Sequence, residues 1–294
     1  MKLSVVIATR DRAAFLTRAL DSLAGQRDAP AFETIVADNG SSDGTAALLE
    51  ERSRAPAFPL RSVYVGAPNR GAARNAGIAA ARGEIVVFVD DDVVLSERFL
   101  AAHAAAHPQG SRLAVSGPIL NVPSYDDRPA PRPFNYVNTF LCTCNASVRR
   151  TDLERAGGFD ERFHLYGWED TELGLRLRAS GVRRAFAWDA FLYHIKPPEA
   201  ETLDAVLMKT VERAQMASRL LQKDSGMRTK LATGAYALNL WRSRILPPPG
   251  LAPLYGRLAR DERLPGALRA LARAQLLDVT YTNELRRSLA GSVD

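Results

Sequence analysis

Between residues 3 and 89, short apolar runs of strand length alternate with segments whose apolar residues recur at helical spacing. Leu3 to Ala8 predicts a first strand, and Arg12 to Ala24 carries Phe15, Leu16, Ala19, Leu20 and Leu23 along one helical face. Glu33 to Ala37 predicts a second strand, followed by Asp38-Asn39-Gly40-Ser41-Ser42-Asp43-Gly44, dense in turn formers and helix caps. Arg61 to Val65 predicts a third, ahead of Asn69-Arg70-Gly71 and an alanine-rich helix to Ala81; Glu84 to Val89 predicts a fourth. Strands separated by helices of this length imply an α/β fold, with a Rossmann-like, mostly parallel sheet flanked by helices.

Polar residues collect where these strands end: Thr9 and Asp11, then Asp38, then Asn69 and Arg70, then Asp90, Asp91 and Asp92. Open parallel sheets bind ligands beyond the carboxyl ends of their strands, so these groups are expected to converge. The aspartate triplet is the most unusual of them. Carboxylates a few ångströms apart resist joint ionisation, and a divalent cation with a preference for hard oxygen removes that repulsion. The competing reading is an acidic turn that caps a helix starting near Ser96.

Past Pro108 the alternation breaks down. Leu113 to Ile119 reads as one strand, and Pro123, Pro129, Pro131 and Pro133 predict a long loop beside the site. A helix is expected near Thr151 to Ala156, a turn at Gly157-Gly158-Phe159-Asp160, a helix over Glu169 to Ala179 and a strand over Ala190 to Ile195. In the tail, Leu203, Leu207, Val211 and Ala214 mark one helical face, and Leu268, Leu271, Ala272 and Leu276 another. Pro247-Pro248-Pro249-Gly250 lies between them.

Composition narrows the classes. With 294 residues and 46% hydrophobic content the chain can bury a large core. No apolar stretch approaches the roughly 18 residues that span a bilayer, and Met1-Lys2 leads straight into a strand, so a cytoplasmic protein is expected, peripheral at the inner membrane face at most. Lys+Arg and Asp+Glu balance at 24 each over residues 1–199, whereas residues 200–294 hold 15 against 9. That basic excess fits a solubilising face, anionic lipid headgroups, a phosphorylated acceptor or a homodimer interface. Nucleic acid is not expected, because the basic residues are not interleaved with stacking aromatics. Cys142 and Cys144 read as small buried thiols. His103 and His107 are spaced i, i+4, but no glutamate follows His103, and both read as exposed. Trp188 and Trp241 read as core or groove-lining residues.

The nucleotide devices of related sheets are missing: Ala8-Thr9-Arg10-Asp11-Arg12 stands where G-x-G-x-x-G would, and there is no G-x-x-x-x-G-K-[ST]. A diphosphate at this crevice meets carboxylates and needs a bridging Mg²⁺ or Mn²⁺, with Arg70 or Arg74 as helpers.

Val5-Val6-Ile7-Ala8-Thr9-Arg10-Asp11-Arg12, Val36 to Thr45, Asn69 to Gly77 and the aspartate triplet together resemble family 2 glycosyltransferases of the GT-A fold. Ala156-Gly157-Gly158-Phe159-Asp160-Glu161-Arg162-Phe163 and Tyr166-Gly167-Trp168-Glu169-Asp170-Thr171-Glu172 resemble that family's acceptor-side segment. The resemblance implies that Thr9, Asp11 and Asp38 hold the nucleoside, with Asn69, Arg70, Arg74 and Asp91 lining the donor site. It also implies that Asp90 faces the ribose, that Asp92 binds Mn²⁺ or Mg²⁺, and that His194 contacts metal or phosphate. Asp170 would be the base, its pKa lifted by Glu169 beside it and by Trp168 limiting solvent. Cys144, ahead of Asn145, departs from the glycine common in the family, and the Q-x-x-R-W motif of processive members is absent. The reading is a metal-dependent, inverting glycosyltransferase that uses a UDP-, GDP- or dTDP-linked sugar and a glycan, lipid-linked or small-molecule acceptor. Its catalytic domain would span 1–198, with a donor part at 1–107 and an acceptor part at 108–198, and a basic helical extension would follow at 199–294. The alternative is a non-catalytic nucleotide-sugar or glycan-binding protein on the same fold.

Overall fold

The computed structural model describes residues 1–54, 56–66, 68–197 and 202–291. Strands β1 (Leu3–Thr9), β2 (Phe32–Asp38), β3 (Leu60–Tyr64) and β4 (Ile85–Val89) alternate with helices α1 (Ala13–Ala24), α2 (Thr45–Arg54) and α3 (Arg70–Ala80). Then come β5 (Val93–Leu95), α4 (Phe99–Ala105), β6 (Leu113–Ser116), β7 (Ile119–Val122) and β8 (Asn145–Arg149). They are followed by α5 (Arg150–Ala156), α6 (Glu169–Ala179), β9 (Arg183–Phe186) and β10 (Leu192–Ile195).

Seven strands form the main sheet in the order β3-β2-β1-β4-β8-β6-β9. β1 to β4 run parallel, while β8 is antiparallel to both β4 and β6. β1 and β4 are buried along almost their whole length because helices cover both faces, which is why their sequences are continuous apolar runs rather than alternating ones. Leu16, Leu20, Phe99 and Leu100 fill one face, and Ile78, Leu153, Leu173 and Leu177 the other. Each such fully buried side chain contributes roughly 1.5–3 kcal/mol. α3 lies tight on β1 at Gly77, where a Cβ would come within 2.4 Å of Val6 Cγ1.

A second sheet, β5-β10-β7, takes its strands from far apart in the chain. The backbone leaves β4 in the first sheet, passes Asp90, Asp91 and Asp92, and enters β5 in the second. The single strand expected over Leu113 to Ile119 is in fact two, one in each sheet. At Gly117 a Cβ would stand 1.8 Å from the Ala190 carbonyl oxygen, so the chain bends there against the segment leading into β10.

His103 and His107, expected on the surface, are buried. His103 on α4 and His107 just past its end both aim their rings at β8: His103 Nδ1 and His107 Nε2 each lie 2.8 Å from Ser147 Oγ, and His103 Nε2 lies 2.9 Å from Asn145 Oδ1. Burial pushes their pKa values down to about 3 and about 4. Asn145 Nδ2 donates to the Pro118 and Ala190 carbonyls, which ties β8 to the bend and to the approach to β10.

The chain forms two compact units, Met1–His164 with Glu169–Ala200, and Leu165–Trp168 with Glu201–Asp294. The boundary expected at 198/199 lies outside the described residues. The second unit is helical: α7 (Leu203–Lys223), α8 (Met227–Thr233), α9 (Ala237–Arg242), α10 (Ala252–Arg260) and α11 (Gly266–Ala290). α7 packs on α11 through Ala214, Ala217 and Leu220 against Leu276, Val279 and Leu285, and Gln215 Nε2 donates to Glu284 Oε1 at 2.8 Å. Trp168 Nε1 donates to the Arg213 carbonyl of α7 at 2.8 Å. Two expectations fail in this unit: Leu268 and Leu271, read as part of an apolar helical face, are exposed, and so is Trp241. Among the described residues no helix is long and apolar enough to cross a membrane.

Candidate active site

Sheet order reverses between β1 and β4, and the site begins there. Thr9, the last residue of β1, donates through Oγ1 to Asp91 Oδ2 at 2.8 Å across the reversal. Arg12, the residue immediately before α1, places Nη1 3.0 Å from Asp91 Oδ1 and 2.8 Å from Asp92 Oδ2. The chain thus supplies a cation of its own to the aspartate triplet. Sequence reasoning passed over Arg12, whose carboxylates lie 79 and 80 positions away along the chain.

The two carboxylates that share Arg12 are driven in opposite directions. Burial pushes Asp91 up to about 6 despite Arg12 and Thr9, whereas His194 and Arg12 overcome burial at Asp92 and hold it at about 2. β10 runs antiparallel to β5 with His194 opposite Val93, and the Ile195 N–H donates to the Asp92 carbonyl at 2.8 Å. This pairing sets His194 Nε2 3.1 Å from Asp92 Oδ1, a buried oxygen whose close partner among the described residues is that imidazole.

Asp90, Cys144 and His194 each offer a ligand atom, and the three atoms lie within 4.8 Å of one another. Asp90, expected at the ribose, therefore stands with His194. Burial raises the Cys144 thiol well above its usual range, so it stays protonated. The carboxylate oxygens of Asp90 and Asp92 and the imidazole of His194 suit Mn²⁺ or Mg²⁺, and Asp92 Oδ1, buried and met only by the His194 ring, is the kind of acceptor that a cation satisfies.

The other donor-side candidates form a linked rim. Asp11, with φ +52°, accepts from the Ser42 N–H at 2.7 Å and the Ser42 hydroxyl at 3.1 Å, which lowers its pKa. Asp38 is buried and accepts from the Ser41 N–H at 2.8 Å, while the Asp11 N–H donates to Ser41 Oγ. Asn69 caps α3 by accepting from the Ala72 N–H, and its own N–H donates to Asn39 Oδ1. Its side chain is committed to the fold, since Nδ2 also donates to the Glu161 carbonyl. Arg70 is exposed at the start of α3.

On the opposite side, α6 opens with Glu169 and Asp170. Arg74, expected to assist a diphosphate, is buried and engaged twice: Nη1 donates to Glu169 Oε1 at 2.9 Å and Nη2 to Asp90 Oδ1 at 3.4 Å. It also lies 5.6 Å from the centre of the Phe159 ring. Asp170 Oδ1 accepts from the Thr171 N–H, yet burial and the Glu169 charge push its pKa up to about 6. Immediately before this pair, Trp168 adopts φ +74°, a left-handed conformation costly for a bulky residue. The structure thus gathers Asp90, Asp91, Asp92, Thr9 and His194 at the strand ends. It joins them through Arg74 to Glu169 and sets Asp11, Asp38 and Asn69 around the rim.

Residues 4–157 match the family model described as Glycosyl transferase family 2, and residues 131–210 match one described as the N-terminal domain of galactosyltransferase. Validoxylamine A glucosyltransferase from Streptomyces hygroscopicus subsp. limoneus is 32% identical over 247 residues, a match covering 69% of this chain and 53% of that protein. The chain therefore spans about half the length of that curated relative. Among solved structures, the mannosyltransferase PcManGT from Pyrobaculum calidifontis in complex with GDP-Man and Mn²⁺ aligns with a TM-score of 0.67 at 22% identity, over 100% of this chain and 88% of the other. S. aureus TarS in complex with UDP-GlcNAc aligns with a TM-score of 0.58 at 20% identity, over 99% of this chain and 92% of that one. These two likenesses establish the GT-A fold.

Proposed function

This chain belongs to glycosyl transferase family 2, and on that footing we propose that it moves a sugar from a nucleotide-diphosphate donor to an acceptor hydroxyl, with inversion, using Mn²⁺ or Mg²⁺. The observation that carries the reading is Arg74, whose guanidinium joins the strand-end carboxylate Asp90 to Glu169, beside the raised-pKa carboxylate Asp170. A proton acceptor and an acidic cation site on two sides of one buried charge are what a single displacement at a sugar carbon requires.

Asp170 takes the proton of the acceptor hydroxyl as that oxygen attacks the anomeric carbon; a carboxylate titrating near 6 is a stronger base than an ordinary one and is still ionised at neutral pH. Because this carboxylate acts as base and not as nucleophile, one displacement occurs and configuration inverts. Arg74 holds Glu169 in place, so the acceptor side keeps one free carboxylate. Asp90, Asp92 and His194 would hold the cation, which supplies Lewis-acid stabilisation of the charge on the departing diphosphate. Thr9, Asp11 and Asp38 bind the nucleoside part, and Arg12 adds positive charge at the phosphates. A donor linked to UDP, GDP or dTDP fits this division of labour, and the nucleotide sugars bound by TarS and PcManGT support that class.

Thermal shift with UDP-, GDP- and dTDP-sugars, each with and without Mn²⁺, tests the reading. One donor is expected to raise the melting temperature only when the cation is present, and Asp92→Ala removes that response. A chain that no activated sugar stabilises, with either cation, overturns it.

A further inference from the structure

Helices α8 to α10 of the second unit are built inside out. In α8 the buried residues are Thr229 and Thr233, while Met227 and Leu231 are 67% and 57% exposed. In α9 no residue is buried, and Leu238 and Trp241 stand exposed one turn apart. Farther on Ser243 is buried but Ile245 and Leu246 are exposed, and in α10 Gly256 is buried but Leu254 is not. Residues 227–254 hold eight of the seventeen large apolar side chains that stand exposed among the described residues. An ordinary amphipathic helix places these classes the other way round.

This run is not a frayed end. Thr229 Oγ1 donates to Asp224, Asn239 Nδ2 to the Gly234 carbonyl, and Tyr281 on α11 to the Thr233 carbonyl at 2.8 Å. Arg242 is held by Asp278 of α11 at 3.0 Å. The apolar residues are therefore presented to the outside by a hydrogen-bonded scaffold.

Charge identifies the occupant. Residues 227–260 contain six Lys+Arg and no Asp or Glu. A second protein surface would be met by cations and anions in mixture, whereas a purely cationic apolar face with a tryptophan complements an anionic lipid surface. We propose that helices α8 to α10 dock this protein peripherally on an anionic phospholipid bilayer, with Leu231, Leu238, Trp241, Ile245, Leu246 and Leu254 entering the interface and Arg228, Arg244 and Arg257 meeting the headgroups. The inference stands apart from the transfer reaction, because docking needs neither donor nor acceptor.

Sedimentation of the full chain with vesicles of phosphatidylcholine alone, or mixed with phosphatidylglycerol, tests it. The chain is expected to sediment with the anionic vesicles at low salt, to be released at high salt and to stay in solution with the neutral ones. The triple change Arg228→Gln, Arg244→Gln and Arg257→Gln is expected to weaken binding on the order of a hundredfold, at roughly fivefold per charge. Leu238→Ser with Trp241→Ser removes exposed side chains only, so far-UV circular dichroism should be unchanged while binding is lost. Failure to sediment with anionic vesicles, or equal sedimentation of parent and both variants, overturns the proposal. So does a dimer in light scattering that Leu238→Ser with Trp241→Ser dissociates, since the face would then belong to a second copy.

Discussion

Arg74 and Glu169 form an ion pair of 2.9 Å, with side chains only 8% and 9% exposed, that ties the middle of α3 to the first residue of α6. Removing one member leaves a buried charge without its partner, which costs about 3–5 kcal/mol. Arg74→Met is therefore expected to lower the free energy of unfolding by that amount, while Arg74→Met with Glu169→Met recovers most of the loss. A double-mutant cycle in urea measures both. Equal stability of Arg74→Met and the parent would remove the pair from the account of how α6 is placed.

Asp170 is held in a position that favours its neutral form. Its folded pKa, about 6, lies above the ordinary value of 3.8, so its contribution to stability is full below pH 4 and is lost as pH rises through 6. At pH 7 the ionised carboxylate costs about 1–3 kcal/mol. Asp170→Asn is expected to raise the melting temperature at pH 7 while abolishing transfer and leaving donor binding intact. In the parent, the transfer rate should fall as pH drops through about 6. A pH profile with no such limb would point to another base.

Arg12, paired with both Asp91 and Asp92, competes with a cation held at Asp92. A unit charge about 4 Å from a divalent ion in water-like surroundings costs about 2 kcal/mol. Arg12→Gln is accordingly expected to tighten Mn²⁺ binding roughly ten- to thirtyfold in calorimetric titration without nucleotide, and to weaken binding of the nucleoside diphosphate. Unchanged Mn²⁺ affinity would show that the ion does not bind at these carboxylates.

His103 and His107 make the fold sensitive to acid. Their folded pKa values, about 3 and about 4, lie below the ordinary 6.5, so their contribution is complete above pH 6.5 and is lost as pH falls toward 4. Each histidine is expected to cost about 2 kcal/mol between pH 7 and pH 5. Asp170 acts in the opposite sense over the same interval, so the comparison is made within variants. His107→Gln should show a smaller loss between the two pH values than the parent in chemical denaturation.

How much of this was legible in the sequence depended on where each residue's partner lies. β1 and β4 were readable because strands covered on both faces must be apolar almost throughout, and α6 because its acidic first turn and basic last turn mark its ends. Arg12 was not readable, since its carboxylates stand 79 and 80 positions away and nothing local marks it as their cation. The histidines were misread for the same reason: Ser147, whose hydroxyl pairs with both rings, comes from β8, some 40 positions farther along the chain. The break at Gly117 did carry a local signal, the Gly117-Pro118 dipeptide, whereas the Ala190 carbonyl that Gly117 packs against lies far along the chain. α8 to α10 escaped notice because a reading that assigns apolar residues to the interior has no place for helices that turn them outward.

The acidic segment lies where the chain passes from the seven-stranded sheet to the three-stranded one, with Val89 fixed against Asn145 on one side and Val93 against His194 on the other. Replacing a carboxylate there removes a ligand from the crevice and leaves both sheets standing. Adding or deleting a single residue would turn β5 over, carry its partner histidine out of line and undo both functions at once. The number of residues from Asp90 to Asp92 is therefore as tightly constrained as the carboxylates they carry.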